Sequence, residues 1–186
     1  MSRSGIDALL YLMDEAFRGP GIEDSKESQA LMPNLSTVDE ATWRSLPPGG
    51  ARSIEAIALH IGACKVMYDD YAFGAGSLLW DMPEVQPWPE GAAPMPDTVA
   101  WLQEAHARFA GHVAGLAEDV ELVRPRRANW GEDRPTRWLI AAMITHDAYH
   151  AGEINHLRSI LGPDDRWRHV QLGPDDRWRH EQVDTS

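Results

Sequence analysis

Four long stretches of this chain carry apolar residues three and four positions apart, and none alternates apolar with polar residues. Those two observations point to an all-α protein, a four-helix bundle with short extra helices. A third agrees with them: Gly-Pro clusters fall between the stretches, where helices should stop.

Ile6, Leu9, Leu10, Met13 and Phe17 define an amphipathic first helix, which Gly19-Pro20-Gly21 ends. Residues 24–34 read as another helical piece and Val38 to Trp43 as a helical turn, followed by a firm Pro47-Pro48-Gly49-Gly50 loop. The second long helix runs from Ser53, a good N-cap, to Phe73, with Gly74 as its stop. Its stripe is Ile57, His60, Cys64, Met67 and Tyr71. Residues 74–96 are rich in Pro and Gly and read as a long connection, which lets a bundle depart from simple up-down order. The third long helix is predicted to start at Asp97, an N-cap after Pro96, with the stripe Val99, Leu102, His106, Phe109, Val113 and Leu116. Pro125 to Arg134 reads as a loop, and no segment gives a β signal. The fourth long helix spans Thr136 to Leu161, and Gly162-Pro163 terminates it.

The last helix carries the chemistry. Its stripe is Leu139, Met143, His146, His150, Glu153, Leu157 and Ile160, so three polar residues interrupt an apolar face. Burying two imidazoles and a carboxylate without partners is costly. His146 and His150 are one turn apart, about 40° around the axis, and point the same way. A pair on one rigid helix costs little entropy to organise and can share a divalent ion. His60, on the stripe of the second helix, is the best-placed third ligand. Three neutral imidazoles suit Zn2+ first, with Ni2+ or Fe2+ as alternatives, and leave coordination positions open for chemistry.

Other residues compete for roles. Glu153 is the candidate catalytic residue; it is placed to be a ligand, a general base for bound water or an acceptor for an imidazole N–H, unless the stripe drifts and it reaches solvent. His106 reads as an edge position with its ring partly in water, with a fourth-ligand or supporting role as the competing reading. Cys64 reads as a small buried hydrophobe rather than a soft ligand. Asp147 points about 100° away from His146 and is not expected to ligate. Tyr149, His156 and Arg158 flank the stripe, to make helix contacts or line a rim.

Composition narrows the field. The formal net charge is -12, from 29 acidic and 17 basic residues among 186, which repels nucleic-acid phosphates. One cysteine excludes an intrachain disulfide and suits the cytoplasm. The N-terminal apolar run is too short for a signal peptide, and no stretch reaches the roughly 18 apolar residues of a membrane span.

Three segments together resemble one family. They are the PPGG loop followed by SIEAIALHIGACKVMYDDYAFG, the Trp130-Gly131 pair, and above all THDAYHAGEINHLRSILG at 145–162. They resemble the DinB-like (YfiT-like) superfamily over most of residues 1–162, with HxxxHAGEI the most specific part. The resemblance implies a four-helix bundle of unusual connectivity, often a homodimer. It also implies a metal site of one histidine from the second helix and two from the fourth, which map to His60, His146 and His150. Members of known activity handle low-molecular-weight thiols as S-transferases or thiol-dependent isomerases; others are metal-dependent hydrolases. The expectation is therefore a metal-dependent thiol S-transferase acting on a small-molecule electrophile. A hydrolase with Glu153 as base, or a non-catalytic stress-related metal-binding protein, are the alternatives.

Residues 163–186 fall outside the resemblance. LGPDDRWRH occurs at 161–169 and again at 172–180. A solvated tail is the expectation, with docking by Trp167 and Trp178, on a partner or over the site mouth, as the alternative.

Overall fold

The protein is described by a computed structural model over residues 2–19, 30–88 and 93–162. Six helices appear there: α1 (Ser4–Phe17), α2 (Leu31–Leu35), α3 (Glu40–Arg44), α4 (Ile54–Phe73), α5 (Met95–Ala114) and α6 (Thr136–Leu161). A 3-10 turn, Asp119–Val123, and two short strands, β1 (Pro125–Arg127) and β2 (Asp133–Pro135), lie between α5 and α6.

The four long helices pack as a bundle in which α4 lies against α5 and α6, and α1 lies against the same two. Helices consecutive in sequence are therefore not always neighbours: α1 and α4 occupy opposite corners. The long connections either side of α4 make this order possible.

Two apolar clusters hold the bundle. One joins Phe17 of α1, Leu31 and Leu35 of α2, Trp43 of α3, Ile54, Ile57 and Ile61 of α4, Leu102 of α5, and Ile154 and Leu157 of α6. The other joins Ile6 and Met13 of α1, Phe109 and Val113 of α5, Leu122, and Ile140 and Met143 of α6. Each large side chain fully buried here contributes about 1.5–3 kcal/mol relative to exposure. Contact between α4 and α5 depends on Gly62: a Cβ there would lie 2.1 Å from the Trp101 ring. Only glycine allows that approach.

The helix ends follow the sequence at α4 and α6 and differ at α5, α3 and α2. Ser53 caps α4, its hydroxyl accepting from the Ala56 N–H, and Gly74 ends it. Helix α6 runs from Thr136 to Leu161 as expected. Helix α5, however, starts at Met95 with Pro94 at its N-cap, so Asp97 is inside the first turn. Proline lacks an N–H that the first turn would leave unpaired anyway, so Pro96 begins a helix rather than preceding one. The helical turn expected at Val38 to Trp43 is α3, which starts two residues later and ends one later, with Asp39 as N-cap accepting from Thr42 N–H at 2.7 Å. The piece expected at 24–34 is helical at Leu31–Leu35, and its residues 24–29 lie outside the described residues.

A further difference is a β-hairpin where a plain loop was expected. Strands β1 and β2 pair antiparallel with Pro125 opposite Pro135 and Arg127 opposite Asp133. Three-residue polar strands carry no apolar alternation, so periodicity does not reveal them. Arg126 anchors the hairpin, donating to the Ala72 carbonyl at 3.0 Å and lying 4.4 Å over the Phe73 ring.

No helix among the described residues is long and apolar enough to cross a membrane. The duplicated tail lies outside the described residues from 163 onward.

Candidate metal centre

His60 of α4 meets His146 and His150 of α6. One ligand nitrogen from each ring lies within 4.8 Å of the others. The His146 and His60 Nε2 atoms are 3.2 Å apart, and the ring centroids of His146 and His150 are 4.5 Å apart. Tetrahedral Zn–N bonds of about 2.0–2.1 Å place donor nitrogens about 3.3–3.4 Å apart. The closest pair already has that spacing, and the third nitrogen lies within 4.8 Å of both. The donor set therefore fits a divalent ion.

The charge state of the rings fits too. Burial, reinforced by the neighbouring His150, His60 and Lys65, pushes His146 down to about 3. Burial, then the His150 charge, also lowers His60. Imidazoles held neutral at pH 7 keep a lone pair to offer.

His150 is oriented from behind. Its Nδ1–H donates to Glu153 Oε2 at 2.8 Å, and Glu153 Oε1 accepts from Arg52 Nη2 at 2.6 Å. That acceptor places the proton on Nδ1 and leaves Nε2 for a ligand bond. Of the roles open to Glu153 in the sequence, this geometry favours acceptor for an imidazole N–H.

His60 departs from expectation in its exposure: its stripe reads as core-facing, yet the side chain sits at the solvent edge of α4. Helix α4 has two neighbours, α5 and α6, so its buried face is wide. The deepest positions are Ile54, Ile57, Ala58, Ile61 and Lys65, and His60 lies at the margin of that face. The consequence is an opening of the site to solvent on the His60 side. Tyr149, 67% exposed, stands beside it with its ring 5.0 Å from that of His150.

Three other candidates are placed elsewhere. Asp147 points into the bundle, pairs with Lys65 and is not part of the three-histidine cluster. Cys64 is buried with Sγ 3.7 Å from His60 Nε2, and burial pushes its thiol up to about 11. A protonated, buried thiol is the small hydrophobe that the sequence suggested. His106 is a correction: no edge position with a wet ring, it is 1% exposed and stacked on Phe17 at 3.7 Å. Its neighbours on all sides are core, because α5 faces inward between α1 and α4 there, and it does not join the three-histidine cluster. Arg158 is buried too and donates to Asn34 Oδ1 at 3.1 Å, joining α6 to α2.

Arg52 was not singled out in the sequence, since an arginine before an N-cap carries no special signal. Lys65 had a signal: it is a lone cation within the apolar run of α4, and such a charge needs a buried partner.

The sequence model of the DinB superfamily matches residues 25–154, which include all three histidines and Glu153. The chain belongs to the DinB superfamily. A comparison with curated proteins gives no match. Membership agrees with the fold and with a three-histidine cluster shared between two helices of a DinB bundle.

His106 gives this DinB chain a pH dependence. Burial, with the charges of Lys65 and Arg18, pushes it down to about 3, whereas the unfolded chain has the ordinary value near 6.5. Between those values the unfolded state holds a proton that the folded state does not. Stability is therefore complete above about pH 6.5 and falls with pH toward 3, by up to about 1.4 kcal/mol per pH unit for one such group. Urea unfolding of metal-free protein between pH 7 and 4 should show this slope, and His106→Phe should flatten it by about one proton. An unchanged slope in that variant would show that His106 is not held neutral.

Proposed function

We propose that this protein is a metal-dependent thiol S-transferase that joins a low-molecular-weight thiol to a small electrophile in the cytoplasm. The observation that carries the reading is three imidazoles from two helices converging at a solvent-open edge. A divalent ion held by them, Zn2+ by preference, would bring a coordinating thiol to its thiolate at neutral pH. With the thiol proton released to solvent, that sulfur would bond to an electrophilic carbon, whose leaving group would depart with the bonding pair.

The chain's own residues set the stage. Arg52 holds Glu153, and Glu153 holds the His150 ring in one orientation. The exposed His60 edge admits substrates, and Tyr149 lines it. This arrangement favours the transferase over a hydrolase. A hydrolase needs Glu153 as a free general base, but both its oxygens are engaged.

The proposed unit is a homodimer. The exposed Trp130 and Trp138, packed edge to face, give an apolar patch that a second copy would cover.

Cobalt-substituted protein tests the reading. Titration with cysteine or 2-mercaptoethanol should add a sulfur-to-cobalt charge-transfer band and shift the visible bands. A spectrum that no thiol alters would contradict thiol ligation and favour a closed, non-catalytic centre.

A further inference from the structure

The bundle contains a second polar cluster, separate from the histidine centre. Each long helix contributes one residue: Phe17 from α1, Lys65 from α4, His106 from α5 and Asp147 from α6, none more than 1% exposed. Lys65 Nζ donates to Asp147 Oδ2 at 2.7 Å, and His106 Nδ1 is 3.9 Å from the same oxygen. Phe17 stacks on His106, and the Lys65 ammonium stands 5.2 Å from the Phe17 ring centroid.

Stability alone gives no reason for this arrangement. Removing two ions from water is expensive, and an apolar pair of similar volume is often as stable or more so. Asp147 Oδ1 and His106 Nδ1 have no hydrogen-bond partner among the described residues, which adds to the cost. What an ion pair has and an apolar pair lacks is direction: it is satisfied in one register of its two helices, whereas methyl groups slide.

The position of the pair gives that direction a use. Lys65 is five residues along α4 from His60, and Asp147 follows His146 on α6. The two helices joined by the ion pair are the two that must present imidazoles to each other.

We propose that Lys65 and Asp147 are positioning residues, a register pin that fixes α4 against α6 so that His60 meets His146 and His150. The inference rests on the metal reading above.

The test pairs metal affinity with metal-free stability. K65M/D147L replaces the pin by an apolar pair. Its metal-free melting temperature should stay within a few degrees of the parent or rise. Its Co2+ affinity, by chelator competition, should fall by about 10–100-fold, the usual range for losing a group that orients metal ligands. Its cobalt spectrum should broaden as the rings lose a single geometry. Parent-like affinity and spectrum in the folded double variant would overturn the inference and leave the metal reading intact. Failure of the parent itself to bind Co2+ would overturn both. Should K65M/D147L not fold, Asp147→Asn keeps the size and one acceptor and carries the same expectation of weakened Co2+ binding. A parent-like affinity in that variant, with only its melting temperature lowered, would make the pair structural and overturn the pin.

Discussion

His150→Ala is expected to abolish tight divalent-metal binding. His150 supplies one of three convergent nitrogens and is the ring that Glu153 and Arg52 hold in place. Its loss leaves two imidazoles on different helices, with the remaining α6 histidine no longer part of a rigid pair. The affinity should fall by more than the roughly 100-fold that loss of an orienting group alone can cost. Stability should follow by linkage: a ligand at about 1,000 times its Kd stabilises a fold by about 4 kcal/mol. The variant should therefore melt well below the metal-loaded parent and much closer to the metal-free parent. In the variant, Glu153 still has Arg52, so no carboxylate is stranded. Metal analysis after dialysis, with melting curves in the presence and absence of chelator, checks both parts. Unchanged metal content in His150→Ala would contradict the assignment.

Asp147→Ala is expected to be the most destabilising single change in the described core. Lys65 is 0% exposed, and its anionic partner among the described residues is Asp147 at 2.7 Å. Burial lowers the Lys65 ammonium from its ordinary value, opposed by the Asp147 charge, and burial raises the Asp147 carboxyl, opposed by Lys65. Each charge opposes what burial does to the other. Removing one partner of such a pair costs about 3–5 kcal/mol, because the survivor is a buried charge without compensation. Against a total stability of about 5–15 kcal/mol, that is a large share. Urea unfolding of metal-free protein should show the loss, and adding Lys65→Met should recover most of it. A loss below about 0.5 kcal/mol would mean that water reaches Lys65.

Much of the site was legible in the sequence because helical spacing is rigid. His146 and His150 have to share a face, and the three-four rhythm of α4 singled out His60 without any structure. The interruption of apolar stripes by imidazoles marked the place where chemistry is concentrated. Periodicity does not reveal how deep a residue sits. His60 and His106 occupy equivalent-looking stripe positions, yet one is at the solvent edge and the other is stacked on Phe17. Depth depends on how many neighbours a helix has and on the angles between them, which only the assembled bundle fixes.

The missed features have the same origin. Arg52 and Glu153 are far apart in the chain, and nothing local in either announces the other. The β-hairpin before α6 is held by Arg126 reaching Ala72 and Phe73, a long-range anchor rather than a local preference. Helix α5 starts at Met95 rather than at Asp97, because proline in a first turn favours the helix. Lys65 and Asp147 were each visible as charges, but their pairing across α4 and α6 is a fact of packing.

The most direct measurement is X-ray absorption at the metal edge on purified, metal-loaded protein, beside metal analysis of the chain with His60, His146 and His150 all changed to alanine. One divalent ion per chain, with three imidazole nitrogens in its scattering shell, and none bound by the triple variant, is the predicted result. An ion retained by the triple variant, or a shell without imidazole scattering, would contradict the account.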